Sequence, residues 1–384
     1  MRQWPAWLLG FTDILEAVNA AARTAYRLGL CKSERAAVPV ISVGNIACGG
    51  TGKTPLVAAL ARTLLSAGAR PAILTRGYRR RASQPVLLWQ ERQASWEQAG
   101  DEPALLARAL PDVPIVVDPD RVRGAATAVR ETGATHLLLD DGFQHWRLAR
   151  DLDIVLVDAT DPFGGGHLAP WGRLREGPRA LARAGVVIIT RADMVEPEEL
   201  KNVEEQIARH APNAVRAQAW HKVAGLRSVP QGELRPLHEL RGMKVHALSG
   251  IGNPEGFKRT LARLGANVVG ATVFRDHHRY TREEAEDLEA LATDKEDVCV
   301  ITTAKDAAKL SPFYLTGEDL PLFCLEIEFS LVQGGDAVWN KVEQALGAED
   351  ARAESQPAKD EAAAPAANAD APGKENEPDR PREE

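Results

Sequence analysis

The segment Val43-Gly44-Asn45-Ile46-Ala47-Cys48-Gly49-Gly50-Thr51-Gly52-Lys53-Thr54-Pro55 decides how this chain is read. It follows an apolar β-branched run, Val38–Val43, and precedes a helical pattern, Pro55–Leu65. Glycines before a helix let backbone N–H groups converge on one point, and the positive end of the helix dipole faces that point. This is the local chemistry of a phosphate-binding loop. The residues expected to cradle a nucleoside triphosphate are Ala47, Cys48, Gly49, Gly50, Thr51, Gly52, Lys53 and Thr54. Lys53 is expected on the β- and γ-phosphates and Thr54 on Mg²⁺. Ala47 stands where GxxxxGK[ST] has its first glycine, and the pair Gly49-Gly50 compensates. A glycine-rich strand-to-helix turn without a nucleotide is the plainer reading. The agreement of composition, order and context argues against it.

Working outward, short β-branched runs alternate with helical patterns from Val38 to Asp193. The further runs are Pro71–Thr75, Ile115–Val117, His136–Asp140, Asp153–Val157 and Val186–Thr190; Glu102–Leu110 and Arg121–Glu131 read as helices. Buried strands alternating with helices predict a mostly parallel sheet covered on both faces, an α/β fold of the P-loop NTPase type. The pattern weakens around Trp220–Pro236 and resumes with strands at Lys244–Ser249, Asn267–Phe274, Val298–Thr302 and Leu322–Glu328. Helices are expected at Pro254–Leu264, Arg282–Thr293 and Asp336–Leu346. The expected organisation is an N-terminal helix in 1–35, a nucleotide-binding domain in 36–220 and a hinge in 221–240. A smaller α/β domain in 241–347 would close over the site, and a disordered tail would occupy 348–384.

The whole chain of 384 residues has a net charge of −7, but 349–384 carries eleven acids and five bases, so the body is near neutral. A neutral body gives no electrostatic case for a nucleic-acid protein. The tail is rich in Ala, Pro, Glu and Asp and has too little apolar surface to offset the entropy of ordering. No run of eighteen apolar residues reads as a membrane span, and no secretory signal is evident. Cys31, Cys48, Cys299 and Cys324 form no CxxC pair, so neither a zinc site nor a disulfide framework is expected.

A second phosphate-chemistry feature is Leu137-Leu138-Leu139-Asp140-Asp141, an apolar strand ending in carboxylates. Parallel sheets bind ligands beyond the C-terminal ends of their strands, where Asp140 or Asp141 would hold Mg²⁺ or its water ligands. Alone, such an ending usually just starts a turn.

Several further segments occur in order along the chain. They are Thr75-Arg76-Gly77-Tyr78, Gly100-Asp101-Glu102-Pro103, Asp140-Asp141-Gly142-Phe143-Gln144-His145, Leu174-Arg175-Glu176 and Asp276-His277-His278. Together with the phosphate loop they resemble the tetraacyldisaccharide 4′-kinases of lipid A synthesis, up to about Leu346. The resemblance implies transfer of the γ-phosphoryl group of ATP to the 4′-hydroxyl of a tetraacylated glucosamine disaccharide 1-phosphate, giving lipid IVA. It implies work at the cytoplasmic face of the bacterial inner membrane, and no protein partner is inferred.

The resemblance also assigns roles. Asp101 precedes a helix, where aspartate is a favoured N-cap, and from composition alone the cap is preferred. The family match makes it the general base for the sugar hydroxyl instead. His277 is implied as its catalytic partner across a closing cleft, with His278 as the alternative bearer of that role or a substrate contact. Glu176 is a candidate near Mg²⁺, and Arg76 a candidate for phosphate or substrate. Gln144 and His145 are expected to order the site, and Lys305-Asp306 has no assignable role. Thr190-Arg191-Ala192-Asp193 resembles a guanine-reading segment with Arg191 in place of Lys, and reads as a strand-end turn near the adenine.

The N-terminal segment places Trp4, Trp7, Leu8, Phe11, Ile14, Leu15, Val18 and Ala22 on one helical stripe. Such a helix either packs on the protein's own core or lies at a lipid surface, with Arg2, Arg23, Arg27, Lys32 and Arg35 meeting anionic headgroups. An acylated substrate favours the surface.

A membrane-bound partitioning or positioning ATPase of the deviant P-loop class is the competing reading, but Cys48 stands where that class has its signature lysine. A GTP-dependent metallochaperone would need a Cys/His-rich loop that the sequence lacks. A non-catalytic nucleotide module is disfavoured by Lys53, Thr54, Asp140 and Asp141.

Overall fold

The computed structural model describes residues 6–77, 84–90, 96–229, 232, 234–251, 253–275, 278–293, 298–313 and 322–347. Tyr78, Asp276, His277 and the expected tail 348–384 lie outside the described residues. The strands are β1 (Val40–Asn45), β2 (Pro71–Thr75), β3 (Val86–Leu88), β4 (Ile115–Val117), β5 (His136–Asp140), β6 (Leu152–Asp158) and β7 (Val186–Thr190). They continue with β8 (Val215–Ser228), β9 (Leu234–Arg235), β10 (Lys244–Ser249), β11 (Asn267–Val273), β12 (Val298–Thr303) and β13 (Leu322–Gln333). The helices are α1 (Ala6–Arg27), α2 (Lys53–Ser66), α3 (Trp96–Ala99), α4 (Asp101–Ala109) and α5 (Arg121–Thr132), then α6 (Pro197–His210), α7 (Pro254–Arg263), α8 (Arg282–Thr293), α9 (Ala304–Leu310) and α10 (Gly335–Leu346).

The strands form one sheet in the order β11-β10-β12-β13-β8-β7-β6-β1-β5-β2-β4-β3, with β9 paired to β8. Strands β8 to β4 pair in parallel, as do β11 to β13. The two parallel blocks meet at the antiparallel pair β8·β13; β3 and β9 add antiparallel edges. The expected α/β class is thus present.

Strand alternation distributes the core over both faces of the first block. Ile41, Val43, Ile73 and Leu138 pack with Leu56, Leu60 and Leu64 of α2 and Leu106 of α4. Val40, Ala72, Leu74 and Leu139 face the other way, onto Ala125 and Ala128 of α5. Each fully buried Leu, Ile or Val side chain contributes about 1.5–3 kcal/mol relative to exposure. The second block repeats the scheme, with Phe257 and Leu261 of α7 against Val245 and Ala247. Leu288 of α8 and Leu310 of α9 cover Leu248 and Val300.

Two observations depart from the expected partition. The span 221–240 is expected as a hinge, yet residues 221–228 complete β8 and pair with β13. Glycine and proline near 225–236 lowered the strand signal, but Gly225 pairs with Glu326 beside a register shift, as a bulge accommodates. Helix α10 also leaves the second block: Val338 and Val342 bury in the cluster of α2, β1 and β5. The twelve-residue β13 returns the chain to the first block.

Candidate active site

The phosphate loop runs from the end of β1 to the start of α2, as the sequence predicts. Gly52 takes the N-cap position of α2 at φ 90°, and no side chain caps the helix. The first-turn N–H groups are therefore not occupied by a capping oxygen, which suits an anion. Gly49 lies at φ 125°, where other residues are strained. Asn45 Nδ2 donates to Thr51 Oγ1 at 3.0 Å, tying the two ends of the loop.

The loop is clasped from two sides. Cys48 N donates to Arg173 O at 2.5 Å, Arg175 N to Ile46 O at 2.7 Å, and Arg173 Nε to Cys48 O at 3.3 Å. On the other side, Arg191 Nη2 donates to Gly50 O at 2.8 Å, and its second arm pairs with Asp158. Arg191 sits at φ 55° in the turn after β7, as expected of that segment, but its side chain props the phosphate loop.

Asp140 and Asp141 end β5 beside the loop. Asp140 is buried, and its Oδ1 has no hydrogen-bond partner among the described residues. Burial, reinforced by the nearby Glu102 carboxylate, raises its pKa to about 7. A buried carboxylate oxygen without a hydrogen-bond partner is costly, so this oxygen fits a metal ligand. Asp141 is half-buried and shared: Lys53 Nζ lies 3.5 Å away and Arg175 Nη1 2.8 Å from both oxygens. Burial works against its charge, but Lys53 and Arg175 more than offset this and lower its pKa. Thr54, in the first turn of α2, completes the set expected to hold Mg²⁺.

Glu176, the fourth expected metal residue, is buried elsewhere in this network. Arg183 contacts both its oxygens at 2.9 and 3.0 Å, Arg23 of α1 approaches to 3.2 Å, and Gln144 Nε2 donates at 3.1 Å. Gln144 also donates to Asn45 O at 2.9 Å, and Arg183 lies over the Phe143 ring at 4.1 Å. Glu176 thus ties α1, the Asp-Asp-Gly-Phe-Gln loop and the clasp together. His145 is pushed down to about 4 by burial and by Arg121, so it is neutral near pH 7.

Asp101 begins α4, but the N-cap is Gly100, at φ 97° and ψ 160°. That conformation is essentially confined to glycine. The capping explanation of Asp101 therefore fails, and its carboxylate points to Lys309 Nζ at 2.7 Å. Lys305 meets Glu102 at 2.6 Å. Both lysines stand on α9, a helix that the sequence reading omitted. Its signal was present: Thr303-Ala304-Lys305-Asp306 is a capping sequence, and Thr303 Oγ1 accepts from Asp306 N. Lys305 and Lys309 are four apart and share a face. Asp306 turns away, accepting from Gly250 N at 3.0 Å and Thr303 Oγ1 at 2.7 Å.

The remaining expectations divide. His278 pairs with Glu284 at 3.0 Å and stacks on Phe274, ring centroids 4.2 Å apart. His277 lies outside the described residues. Arg76 is exposed at the end of β2, within electrostatic reach of Arg121. Arg121, which the sequence reading passed over, is buried at this corner and donates to Asp118 O at 2.6 Å. Burial, against the pull of Asp140 and Asp141, lowers it to about 10.

Helix α1 turns one side to the site. Asn19 Nδ2 donates to Arg175 O at 3.2 Å, and Tyr26 packs edge-on against Trp146. Val18, from the expected apolar stripe, is 58% exposed. No helix among the described residues is long and apolar enough to cross a membrane.

The family model described as tetraacyldisaccharide-1-P 4′-kinase matches residues 4–346. A tetraacyldisaccharide 4′-kinase of Anaeromyxobacter dehalogenans (strain 2CP-C) is 43% identical over 322 residues, 83% of this chain and 85% of the relative. One from Halothermothrix orenii is 38% identical, covering 80% and 84%. The crystal structure of LpxK from Aquifex aeolicus in complex with ATP superposes with a TM-score of 0.73 at 31% identity, covering 89% of this chain and 99% of that one. The likeness spans both parallel blocks and the corner where α9 meets α4, so it is not that of a phosphate loop alone, and this chain belongs to the tetraacyldisaccharide 4′-kinase family.

Proposed function

We propose that this chain is an ATP-dependent kinase that moves the γ-phosphoryl group to the 4′-hydroxyl of a tetraacylated glucosamine disaccharide 1-phosphate. The observation that carries the reading is the placement of two kinds of charge at one end of β5. The uncapped α2 terminus and Lys53 offer positive charge to a triphosphate. The acids of α4 stand close enough for Glu102 to perturb Asp140.

Phosphoryl transfer is mainly positioning and charge stabilisation. Loop amides and Lys53 would hold the β- and γ-phosphates, while Arg175 shares the Asp141 carboxylate that Lys53 touches. Asp140 and Thr54 would hold Mg²⁺, with Asp141 next to them. Bound there, the ion supplies charge neutralisation on the phosphate oxygens. Asp101 would accept the proton of the sugar hydroxyl, and Lys309 beside it balances the charge of its ionised form. His277 is proposed as its partner. Glu176 supports the site by fixing Gln144 and α1.

For the membrane, α1 has one side on the active-site loops and Val18 in solvent, while Leu28 and Leu30 beyond it are also exposed. An apolar stripe beside an acyl-chain substrate fits a helix lying at the cytoplasmic surface of the inner membrane. Liposome flotation tests this: a protein without residues 1–30 that floats as well as the full chain removes α1 from the account. The reading as a partitioning ATPase is not favoured, because Cys48 lacks the amine that class requires. The decisive experiment supplies ATP, Mg²⁺ and the tetraacyldisaccharide 1-phosphate. The expected product is the doubly phosphorylated lipid; ATP hydrolysis without it would refute the kinase.

A further inference from the structure

Two ion pairs join α4 to α9, in unlike surroundings. Lys305–Glu102 is open to solvent, with side chains 36% and 37% exposed. Lys309–Asp101 is enclosed, at 5% and 15%. We infer that Lys309 is a positioning residue for phosphoryl transfer, fixing the Asp101 carboxylate and balancing its charge; the inference rests on the reading of Asp101 as base.

A solvated pair held by two flexible side chains does little beyond tethering. An ammonium taken out of water needs a close partner and a fixed stem. Lys309 has both. Its helix is anchored by Ala307 and Leu310 in the core of the second block, against Leu248, Val300 and Leu322. Asp306, on the same helix, is buried and bonded to Gly250 N, so α9 cannot readily turn about its axis. On the other side, the glycine-only conformation of Gly100 fixes where α4 and Asp101 begin. The Nζ–Oδ2 contact of 2.7 Å therefore joins two rigid elements.

The charge balance gives the lysine a task. Asp101, Glu102 and Asp140 gather at one corner, and Glu102 already raises the pKa of Asp140. Lys53 reaches Asp141, and Lys305 reaches Glu102. Among the described residues, Lys309 Nζ lies against Asp101 Oδ2. A base whose Oδ2 is held by a fixed ammonium keeps its carboxylate in place, and a displacement of about 1 Å at such a group costs on the order of 10² in rate.

The test uses the full chain with ATP, Mg²⁺ and the acylated disaccharide 1-phosphate in mixed micelles. Lys309→Met is expected to lower kcat by about 10²-fold while leaving KM for ATP near its original value. Lys309→Arg, which keeps the charge, should recover most of the loss. In an Asp101→Asn background, Lys309→Met should cost little more, because the two act as a unit. Equal losses for Met and Arg, or a full additional loss in the Asp101→Asn background, would overturn the inference. Should the Met variant not fold, Lys309→Gln replaces it, and turnover near the original rate overturns the inference. A slow Asp101→Asn beside a fast Lys309→Met rejects the inference alone; full turnover by Asp101→Asn rejects the base reading itself.

Discussion

The phosphate loop and the α4–α9 corner both gather charged groups near the end of β5, yet they are built in opposite ways. The loop is contiguous: Asn45, Thr51, Gly52 and Lys53 span nine positions, and a six-residue separation closes its internal hydrogen bond. The corner is assembled from distant parts, with Lys305 and Glu102 separated by 203 in sequence number. The loop works through backbone N–H groups, which any chain can supply once glycines allow the turn. The corner works through side chains whose meeting depends on how two parallel blocks join. A local device survives many changes elsewhere, whereas an assembled one fails when either supporting element shifts.

The largest expected effect separates the two. Asp101→Asn should lower kcat by roughly 10²–10⁴-fold, the usual contribution of a general base, with ATP affinity retained. Lys53→Ala should weaken both ATP binding and transfer. Steady-state kinetics beside ATP titration reads the split, and a parallel loss of ATP affinity in Asp101→Asn would erase the distinction between the regions.

Next comes the clasp that links α1 to the loop. Glu176→Ala leaves Arg183 and Arg23 facing a buried gap. Breaking one side of a buried ion pair costs about 3–5 kcal/mol. Thermal or urea unfolding should show it, and an unchanged midpoint would mean that the clasp contributes little. Glu176→Gln should lose less.

Asp140 gives a pH signature. Its folded pKa is raised from 3.8 to about 7, so between these values the native state holds a proton that the unfolded state has released. Stability from this group is therefore full below about pH 4 and declines as pH rises through 7. In metal-free protein, Asp140→Asn should be more stable than the parent at pH 8, by no more than about 4 kcal/mol, and equal to it near pH 4. Mg²⁺ should narrow the gap at pH 8 by stabilising only the parent. A gap that does not vary with pH would contradict the assignment.

The smallest effect sharpens the contrast within the corner. Lys305→Ala removes the solvent-exposed pair and should change stability by about 1 kcal/mol or less. Its kcat should stay near the original, and a fall as large as that of Lys309→Met would mean that exposure does not distinguish the two lysines.

Much of this was legible in the residues. Strands Pro71–Thr75, Ile115–Val117, His136–Asp140, Val186–Thr190 and Lys244–Ser249 appear at their expected bounds, because an apolar β-branched run between turn residues has few other uses. Strand β8 was not legible: it mixes charge and glycine, and long-range pairing with β13 rather than propensity makes it a strand. The seven-residue helix α9 carried a cap signal that its unassigned Lys305-Asp306 obscured. For Glu176, nothing local in the sequence shows that Arg23 and Arg183 both reach its carboxylate.

The sequence by itself determined the phosphate loop, the strand that delivers Asp140 and Asp141, and the alternating order that makes the sheet parallel. These depend on periodicity and backbone conformation, which act over a few residues. Only the tertiary structure decided which cation meets which acid: Lys309 with Asp101, Arg175 with Asp141, Arg183 and Arg23 with Glu176. A charge has no periodicity to reveal its partner, and the pairing emerges only when packing of the apolar faces has fixed where each helix lies.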